Sequence, residues 1–250
     1  MKPGHTRFFV GYKKHTLRLW ISGFEPFVLL APLVTWAAPA SVPESYLLKP
    51  SIKYCQQRLD FLPDIVVGDM GYIHQGTKRE LRVQYGVAML TKLKADMQAH
   101  CNYDPEEPLR CRQGQELQWL GYDELDYQHW FATPPNAPLC CSCWEQRACP
   151  RQFTVPADTH ETFFGMIPLN TALAHRLIHS VRSWIEPAQS FEKNQLGLKT
   201  MFLNSLRLCW ITSLLADSVA LLRALAILEH PPAQAMLQEL FSTQSQLPLE

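Results

Sequence analysis

The feature that most constrains the fold of this chain is a short β-branched apolar run at residues 64–68, directly before Asp69. A short helical pattern follows at 78–84 and a second apolar strand at 86–92, an alternation typical of a βαβ unit. It predicts an α/β domain with a parallel pair of strands. The carboxylate of Asp69 then lies at the carboxyl end of a central strand, where open α/β sheets bind ligands. Helix capping is an equally ordinary role for an Asp in such a turn, and the pattern leaves both open.

The rest of the chain divides by pattern into three parts. Two strands of a hairpin are predicted at 6–22 and 27–36, and apolar residues at helical spacing predict a helix at 52–62. The segment 101–158 is rich in acidic residues, Pro and Cys, which indicates a loop-rich insertion with short strands. Long helices are predicted beyond it, at 173–185, 196–228 and 233–241. We therefore expect a core at 1–100, a Cys-containing insertion at 101–158 and a helical part of the core at 159–250.

Composition excludes several classes of protein. Hydrophobic residues make up 47% of the 250 residues and charged residues 18%, which is enough apolar material for a core and excludes disorder and collagen-like repeats. Lys and Arg number 23, as do Asp and Glu, so the formal net charge is zero. A protein that depends on phosphate contacts usually carries a basic excess. Any nucleic-acid role must therefore use a local patch or a segment outside this chain.

The N-terminal region has the outline of a secretory signal, with basic residues up to Arg18 before an apolar stretch at 27–40. A carboxylate and prolines (Glu25, Pro26, Pro32) interrupt that outline, and the N-terminal region has no unbroken span of about twenty apolar residues. We therefore expect a cytoplasmic protein that makes no membrane contact.

Eight cysteines cluster unevenly along the chain. One set has the residue types of a tetrahedral thiolate site for zinc: Cys140, Cys143 and Cys149, with Cys111 or Cys101 as the fourth ligand. Reduced cysteines in a loop-rich insertion explain the same residues. The sequence leaves the zinc site as one hypothesis and plain thiols as the other.

A second chemical pattern lies near the C-terminus, where His179 is followed by Arg182, Glu186 and Lys193. On a helix, Arg182 and Glu186 lie one turn apart, and Lys193 follows two turns after Glu186. The plain explanation is an exposed ion pair worth a few tenths of a kcal/mol, about 0.3–0.5.

Together the two patterns resemble the DDE transposases of bacterial insertion sequences. Asp69-x-Gly71-Tyr72 follows a hydrophobic strand, and more than a hundred residues later Arg182-x3-Glu186-x6-Lys193 precedes Gly197-Leu198. In that family a Tyr usually stands where this chain has His179. The stretch 8–15 is similar to the family's Gly-Tyr-Lys-x-His strand, and the resemblance runs through most of the chain.

The resemblance implies a ribonuclease-H-like fold with an insertion before the last catalytic helix. It implies that Asp69 and Glu186 are ligands of catalytic Mg²⁺, that Arg182 and Lys193 contact or orient DNA phosphates, and that Tyr72 supports the Asp69 turn. Two such ions about 4 Å apart catalyse in-line phosphoryl transfer. The implied partners are transposon-end DNA and a second copy of the chain, in the cytoplasm of a bacterium.

The chain departs from the family at one essential place. The family has a third carboxylate on a strand before Gly11, but residues 1–10 contain no Asp or Glu. We therefore expect a C-terminal portion of a transposase that does not cut or join DNA by itself. Two alternatives remain: a non-enzymatic, zinc-stabilised binding module, and a secreted disulfide protein cleaved near Ala40.

Overall fold

The protein has a mixed α/β fold with small sheets, as the sequence predicts. A computed structural model describes residues 11–21, 29–94, 97, 103–134, 151–198, 205–232, 234 and 235. The chain forms two compact units. Unit 1 comprises Met1–Asp60 and Ser183–Glu250, and unit 2 comprises Phe61–Arg182.

Unit 1 begins with the predicted hairpin. Strands β1 (Tyr12–Ile21) and β2 (Leu29–Pro39) pair antiparallel, from Tyr12 opposite Pro39 to Ile21 opposite Leu29. The register shifts by a bulge between Leu17 and Arg18. The hairpin prediction is confirmed for the described residues, and β2 continues three residues beyond its predicted end.

Helix α1 (Ser45–Leu59) follows the hairpin and is longer than the helix predicted at 52–62. It begins seven residues earlier than predicted, and Pro50 lies inside the helix. Asp60 ends it in the left-handed conformation, with φ 49°, and its N–H donates to the carbonyl of Cys55. The buried side of α1 includes Leu48 and Ile52.

Unit 1 also contains helix α4 (Leu206–Glu229), which packs against β2. Ser205 caps it, since its hydroxyl accepts from the N–H of Leu208 at 3.2 Å. The indole N–H of Trp210 donates to the carbonyl of Thr35 at 3.1 Å, and its ring stacks on Trp36. The helix therefore begins ten residues later than the region predicted at 196–228. The helix predicted at 233–241 lies almost entirely outside the described residues.

Unit 2 contains the predicted βαβ unit. Strands β3 (Ile65–Gly68) and β4 (Ala88–Thr91) are parallel, with Gly68 opposite Thr91. A 3-10 helix (Met70–Tyr72) and helix α2 (Gln75–Tyr85) connect them. Gly86 ends α2 with φ 63°, a left-handed conformation that favours glycine. The βαβ prediction is confirmed.

Unit 2 also contains an antiparallel sheet of β5 (Gln118–Asp123), β6 (Gln128–Ala132) and β7 (Gln152–Pro156), in the order 5-6-7. The short strands predicted for 101–158 are thus present. A second 3-10 helix (Ala157–His160) follows β7. The core of unit 2 joins both sheets, because Leu90 of β4 and Phe131 of β6 belong to one buried apolar cluster with Phe163 and Phe164.

Helix α3 (Ala172–Asn194) starts in unit 2 and ends in unit 1. It continues nine residues past the end predicted at Ile185 and contains Pro187. Pro187 is exposed. Glu192, near the end of the helix, forms buried ion pairs within unit 1, which hold this last part of α3 in place.

Candidate functional site

Asp69 lies where the sequence predicts it, directly after strand β3. It caps the 3-10 helix: its carboxylate oxygen Oδ1 accepts from the N–H of Met70 at 2.7 Å, and its carbonyl accepts from the N–H of Tyr72 at 3.0 Å. The side chain is nevertheless exposed. Asp69 therefore caps the 3-10 helix through Oδ1, and Oδ2 takes no part in that hydrogen bond.

The residue before Asp69, Gly68, packs against both strand β4 and the 3-10 helix. A Cβ on Gly68 would meet the methyl carbon of Thr91 at 3.4 Å and the Cβ of Tyr72 at 3.5 Å. These are ordinary van der Waals distances, so β4 and the 3-10 helix pack against Gly68 while leaving room for a small side chain there. Thr91 is fully buried, and its hydroxyl has no hydrogen-bond partner within the described part of the chain. Tyr72 lies beside Gly68 in this turn, and its support of Asp69 stays a prediction.

Buried charges anchor helix α2 to the segment after β7. The guanidinium of Arg82 donates to both carboxylate oxygens of Glu161, at 3.0 and 2.6 Å, and to the hydroxyl of Tyr122 at 3.1 Å. Burial alone would lower the pKa of Arg82, but the hydrogen bonds to Glu161 and Tyr122 outweigh it and raise that pKa above its ordinary value. The ammonium of Lys78 donates to the carbonyl of Thr162 at 2.8 Å.

Lys78 and Arg82 lie one turn apart on α2, and both are buried. Burial lowers the pKa of Lys78 to about 8, although the nearby carboxylate of Glu161 acts in the opposite direction. Glu161 therefore pairs directly with Arg82 and also acts electrostatically on the buried ammonium of Lys78. We did not predict this cluster from sequence, because Glu161 lies far from Lys78 and Arg82 along the chain.

His129 is a second buried polar group of unit 2. The indole N–H of Trp119 donates to its Nδ1 at 3.2 Å, and its Nε2 lies 3.1 Å from the carbonyl of Gly165. Because an indole nitrogen can only donate, Nδ1 must accept, and Nε2 carries the proton that Gly165 accepts. Burial lowers the pKa of His129 to about 4. The imidazole is therefore a neutral structural group at physiological pH.

Helix α3 carries the second set of predicted site residues. Arg182, Glu186 and Lys193 are all exposed, as is His179. Spacings of four and seven residues place the first three along one stripe of a helix with 3.6 residues per turn. The stripe is exposed at each of these positions.

Next to this stripe, Glu192 faces the interior of unit 1. Lys14 donates to its Oε2 at 3.0 Å, and Arg18 donates to its Oε1. Lys14 also donates to Asp217 of α4 at 2.7 Å, and Asp217 accepts from the hydroxyl of Thr35. We did not predict this network from sequence. Its one visible sign is Asp217, a lone carboxylate within a long apolar run.

The predicted metal ligands fall in different units, since Asp69 belongs to unit 2 and Glu186 to unit 1. Each carboxylate is exposed in the structure, and the binding of one shared ion by both carboxylates stays a prediction. Within the described ranges, three or more His, Cys, Asp or Glu side chains nowhere gather as they would around a metal ion.

The zinc hypothesis falls mostly outside the described residues, since Cys101, Cys140, Cys143 and Cys149 all lie there. Of its candidate ligands, Cys111 is described: it is half-buried and carries a free thiol. Cys55 and Cys209 also carry free thiols, and burial raises the pKa of Cys55, which makes that thiol a poor metal ligand.

Helix α4 has the length and composition of a membrane-spanning helix, and the core helices of soluble proteins also have them.

Comparison of the chain with models of known families, with curated proteins and with solved structures found no match.

Proposed function

We propose that this chain is the C-terminal part of a DDE transposase of a bacterial insertion sequence and that it acts in phosphoryl transfer on transposon-end DNA. The observation that carries the proposal is the placement of Asp69, an exposed carboxylate at the end of a parallel strand, in a turn packed around Gly68 and Tyr72. Functional carboxylates of α/β sheets occupy this place.

The order of the elements supports the proposal. An antiparallel hairpin, a helix, a parallel βαβ unit, a strand-containing segment and a long helix with Arg182, Glu186 and Lys193 follow one another along the chain. This is the order expected of a ribonuclease-H-like core that lacks its first strand and carries an insertion before its last helix.

The exposed carboxylates fit the ligand preference of Mg²⁺, which takes oxygen ligands. The Oδ1 atom of Asp69 already accepts one hydrogen bond. Oδ2, together with the remaining lone pair of Oδ1, would therefore coordinate the ion. Glu186 would be a second ligand. When bound, the ions would supply the charge that stabilises the attacking and leaving oxygens of an in-line displacement.

Arg182 and Lys193 would bind phosphate oxygens and so align the DNA backbone along the helix. Arg182 offers a forked, permanently charged donor group, whereas Lys193 offers a point charge. Residues 1–10 provide no acidic side chain, so the third carboxylate that the resemblance implies is missing from the place where the family has it.

Metal binding by the chain itself tests the proposal. We expect Asp69→Asn and Glu186→Gln each to weaken the binding of Mn²⁺, a spectroscopic substitute for Mg²⁺, by at least about tenfold. The amide introduced by Asp69→Asn keeps an oxygen that can accept from the N–H of Met70, so this variant retains the turn. The matched control is Asp158→Asn, which changes an exposed Asp of unit 2.

Titration calorimetry, or the electron paramagnetic resonance signal of free Mn²⁺, measures the affinities. Equal affinity in the wild type and both variants would contradict the proposal. A strand-transfer assay with Mg²⁺ and transposon-end DNA should detect no product with this chain alone. Product formed by the chain alone would refute the expected need for a third carboxylate.

A further inference from the structure

Helix α4 packs against the hairpin of unit 1 through its less apolar side, whereas an ordinary surface helix packs through its more apolar side. The side that it buries carries small or polar residues, namely Ser213, Ala216, Asp217 and Ala224. The opposite side, here called the outer face of α4, carries large apolar residues that keep 41–65% of their surface exposed: Leu208, Ile211, Leu214, Leu215, Val219, Leu221, Leu222 and Leu225. A surface helix normally buries its apolar stripe. The reversal marks the outer face as an interaction surface.

The size of the outer face matches a protein interface. Eight side chains at roughly half exposure leave on the order of 700 Å² of apolar surface, more than the largest patch of a typical monomer, about 300–600 Å². One partner of a stable complex buries about 800 Å².

The spacing of the outer face is that of a helix-to-helix seam. Residues 208, 211, 215, 218, 222 and 225 alternate in steps of three and four, the a/d pattern of a coiled coil. Ser218 is the one polar residue of the seam, and its hydroxyl donates to the carbonyl of Leu214 at 2.9 Å. The seam therefore presents no unsatisfied side-chain polar group to an apolar partner.

A lipid bilayer does not fit this arrangement, although α4 is long enough to cross one. The buried side of α4 is fixed to the hairpin, because Asp217 accepts from Lys14 at 2.7 Å and from Thr35. In a bilayer, the charged pair would be costly and the open edges of the two-stranded hairpin would face hydrocarbon with unpaired backbone groups. A partner of α4 must therefore contact only the outer face and leave the opposite side packed on the hairpin.

The charges at the two ends of α4 favour a second copy of the chain whose α4 runs antiparallel to the first. Arg207 and Glu229 lie at the two ends of α4, and both are exposed. In an antiparallel pair whose a and d positions interlock, Arg207 lies within one turn of Glu229 of the second copy. A parallel pair would bring Arg207 beside its own counterpart, and likewise Glu229.

We propose that two copies of this chain associate through the outer faces of α4, packed antiparallel, with Leu208 facing Leu225 of the second copy and Ile211 facing Leu222. The association does not depend on the proposed chemistry, and loss of metal binding would leave it intact.

Sedimentation equilibrium of the full chain from about 1 to 100 µM, a range that spans ordinary dimer affinities, tests the proposal. We expect twice the chain mass of 28.7 kDa for the wild type and a single chain mass for Leu215→Glu/Leu222→Glu. These two residues are 63% and 65% exposed, so the change spares the core of unit 1. The control is Leu125→Glu, at a 90% exposed position of unit 2, which should remain a dimer. Circular dichroism melting confirms that each variant is folded.

A charge-swap cycle tests the direction. Arg207→Glu and Glu229→Arg should each weaken the dimer about 3- to 10-fold, and the double variant should restore it. A wild-type chain that stays monomeric, or a dimer that survives Leu215→Glu/Leu222→Glu, would overturn the proposal. So would wild-type monomers that float with phosphatidylcholine vesicles, since lipid would then be the occupant. Failure of the double variant to restore affinity would refute the antiparallel arrangement.

Discussion

Removing the charge of Glu161 by Glu161→Gln should destabilise unit 2 by about 3–5 kcal/mol. The side chain is 1% exposed and accepts two hydrogen bonds from Arg82, at 3.0 and 2.6 Å. Gln is almost isosteric, but it replaces one acceptor oxygen with an amide donor that faces the guanidinium. The change leaves Arg82 and Lys78 buried without a counter-charge, and that uncompensated charge, rather than the lost bond alone, sets the magnitude.

An exposed ion pair of the same unit offers a matched control. Arg110 donates to Glu116 at 2.9 Å, and the two side chains are 51% and 56% exposed. Glu116→Gln makes the same chemical change in water, where the pair contributes about 0–1 kcal/mol. Urea unfolding followed by tryptophan fluorescence and circular dichroism gives the free energy of unfolding of each variant.

One outcome of this comparison would contradict the reasoning. If Glu161→Gln lies within about 1 kcal/mol of Glu116→Gln, then burial does not decide the strength of the pair, and the reasoning fails. A loss of about 3 kcal/mol or more in Glu161→Gln, against a small loss in the control, would confirm it. Because folded proteins have net stabilities of only about 5–15 kcal/mol, a loss of this size should also lower the unfolding midpoint visibly.

Two further predictions concern the same interior. Since the pKa of His129 is lowered to about 4 in the folded state, the unfolded state binds more protons between that value and about 6.5. Stability should therefore fall by about 3 kcal/mol as the pH drops through this window, and His129→Gln should lose this part of the pH dependence in urea titrations. Gly165→Ala should cost more than about 1 kcal/mol in thermal unfolding, because a Cβ there lies 2.7 Å from Cε of Lys78 at φ 51°. Gly114→Ala, at φ 80° with open space around it, should cost less, and equal losses would contradict the packing argument.

The parts of the fold that the sequence predicts are those with a strict local period. The β-branched run at 64–68 and the apolar strand after α2 have one dominant explanation, so β3, α2 and β4 were predictable. The ends of α1 and α3 were not, because Pro50 and Pro187 resemble stops in sequence and lie inside helices in the structure. Neighbouring contacts decide such ends, as the ion pairs of Glu192 do for α3.

Helix α4 shows a second limit of periodicity. Apolar residues surround it on all sides, so the sequence indicates a helix without indicating which side faces the hairpin. The structure decides through Asp217, whose bonds to Lys14 and Thr35 fix the orientation and leave the leucines outside. A single buried carboxylate thus helps to determine which side of α4 stays exposed.

Burial also separates two kinds of carboxylate that look alike in sequence. Glu161, Glu192 and Asp217 are at most 6% exposed and are paired with Arg or Lys, so they serve the stability of their units. Asp69 and Glu186 are exposed, although one ends a core strand and the other lies on a helix anchored by the first kind. A carboxylate that must exchange water for a metal ion needs this access, and a carboxylate already neutralised by a buried cation cannot provide it. The exposure of Asp69 and Glu186 is therefore the physical reason to assign the proposed chemistry to them rather than to their buried neighbours.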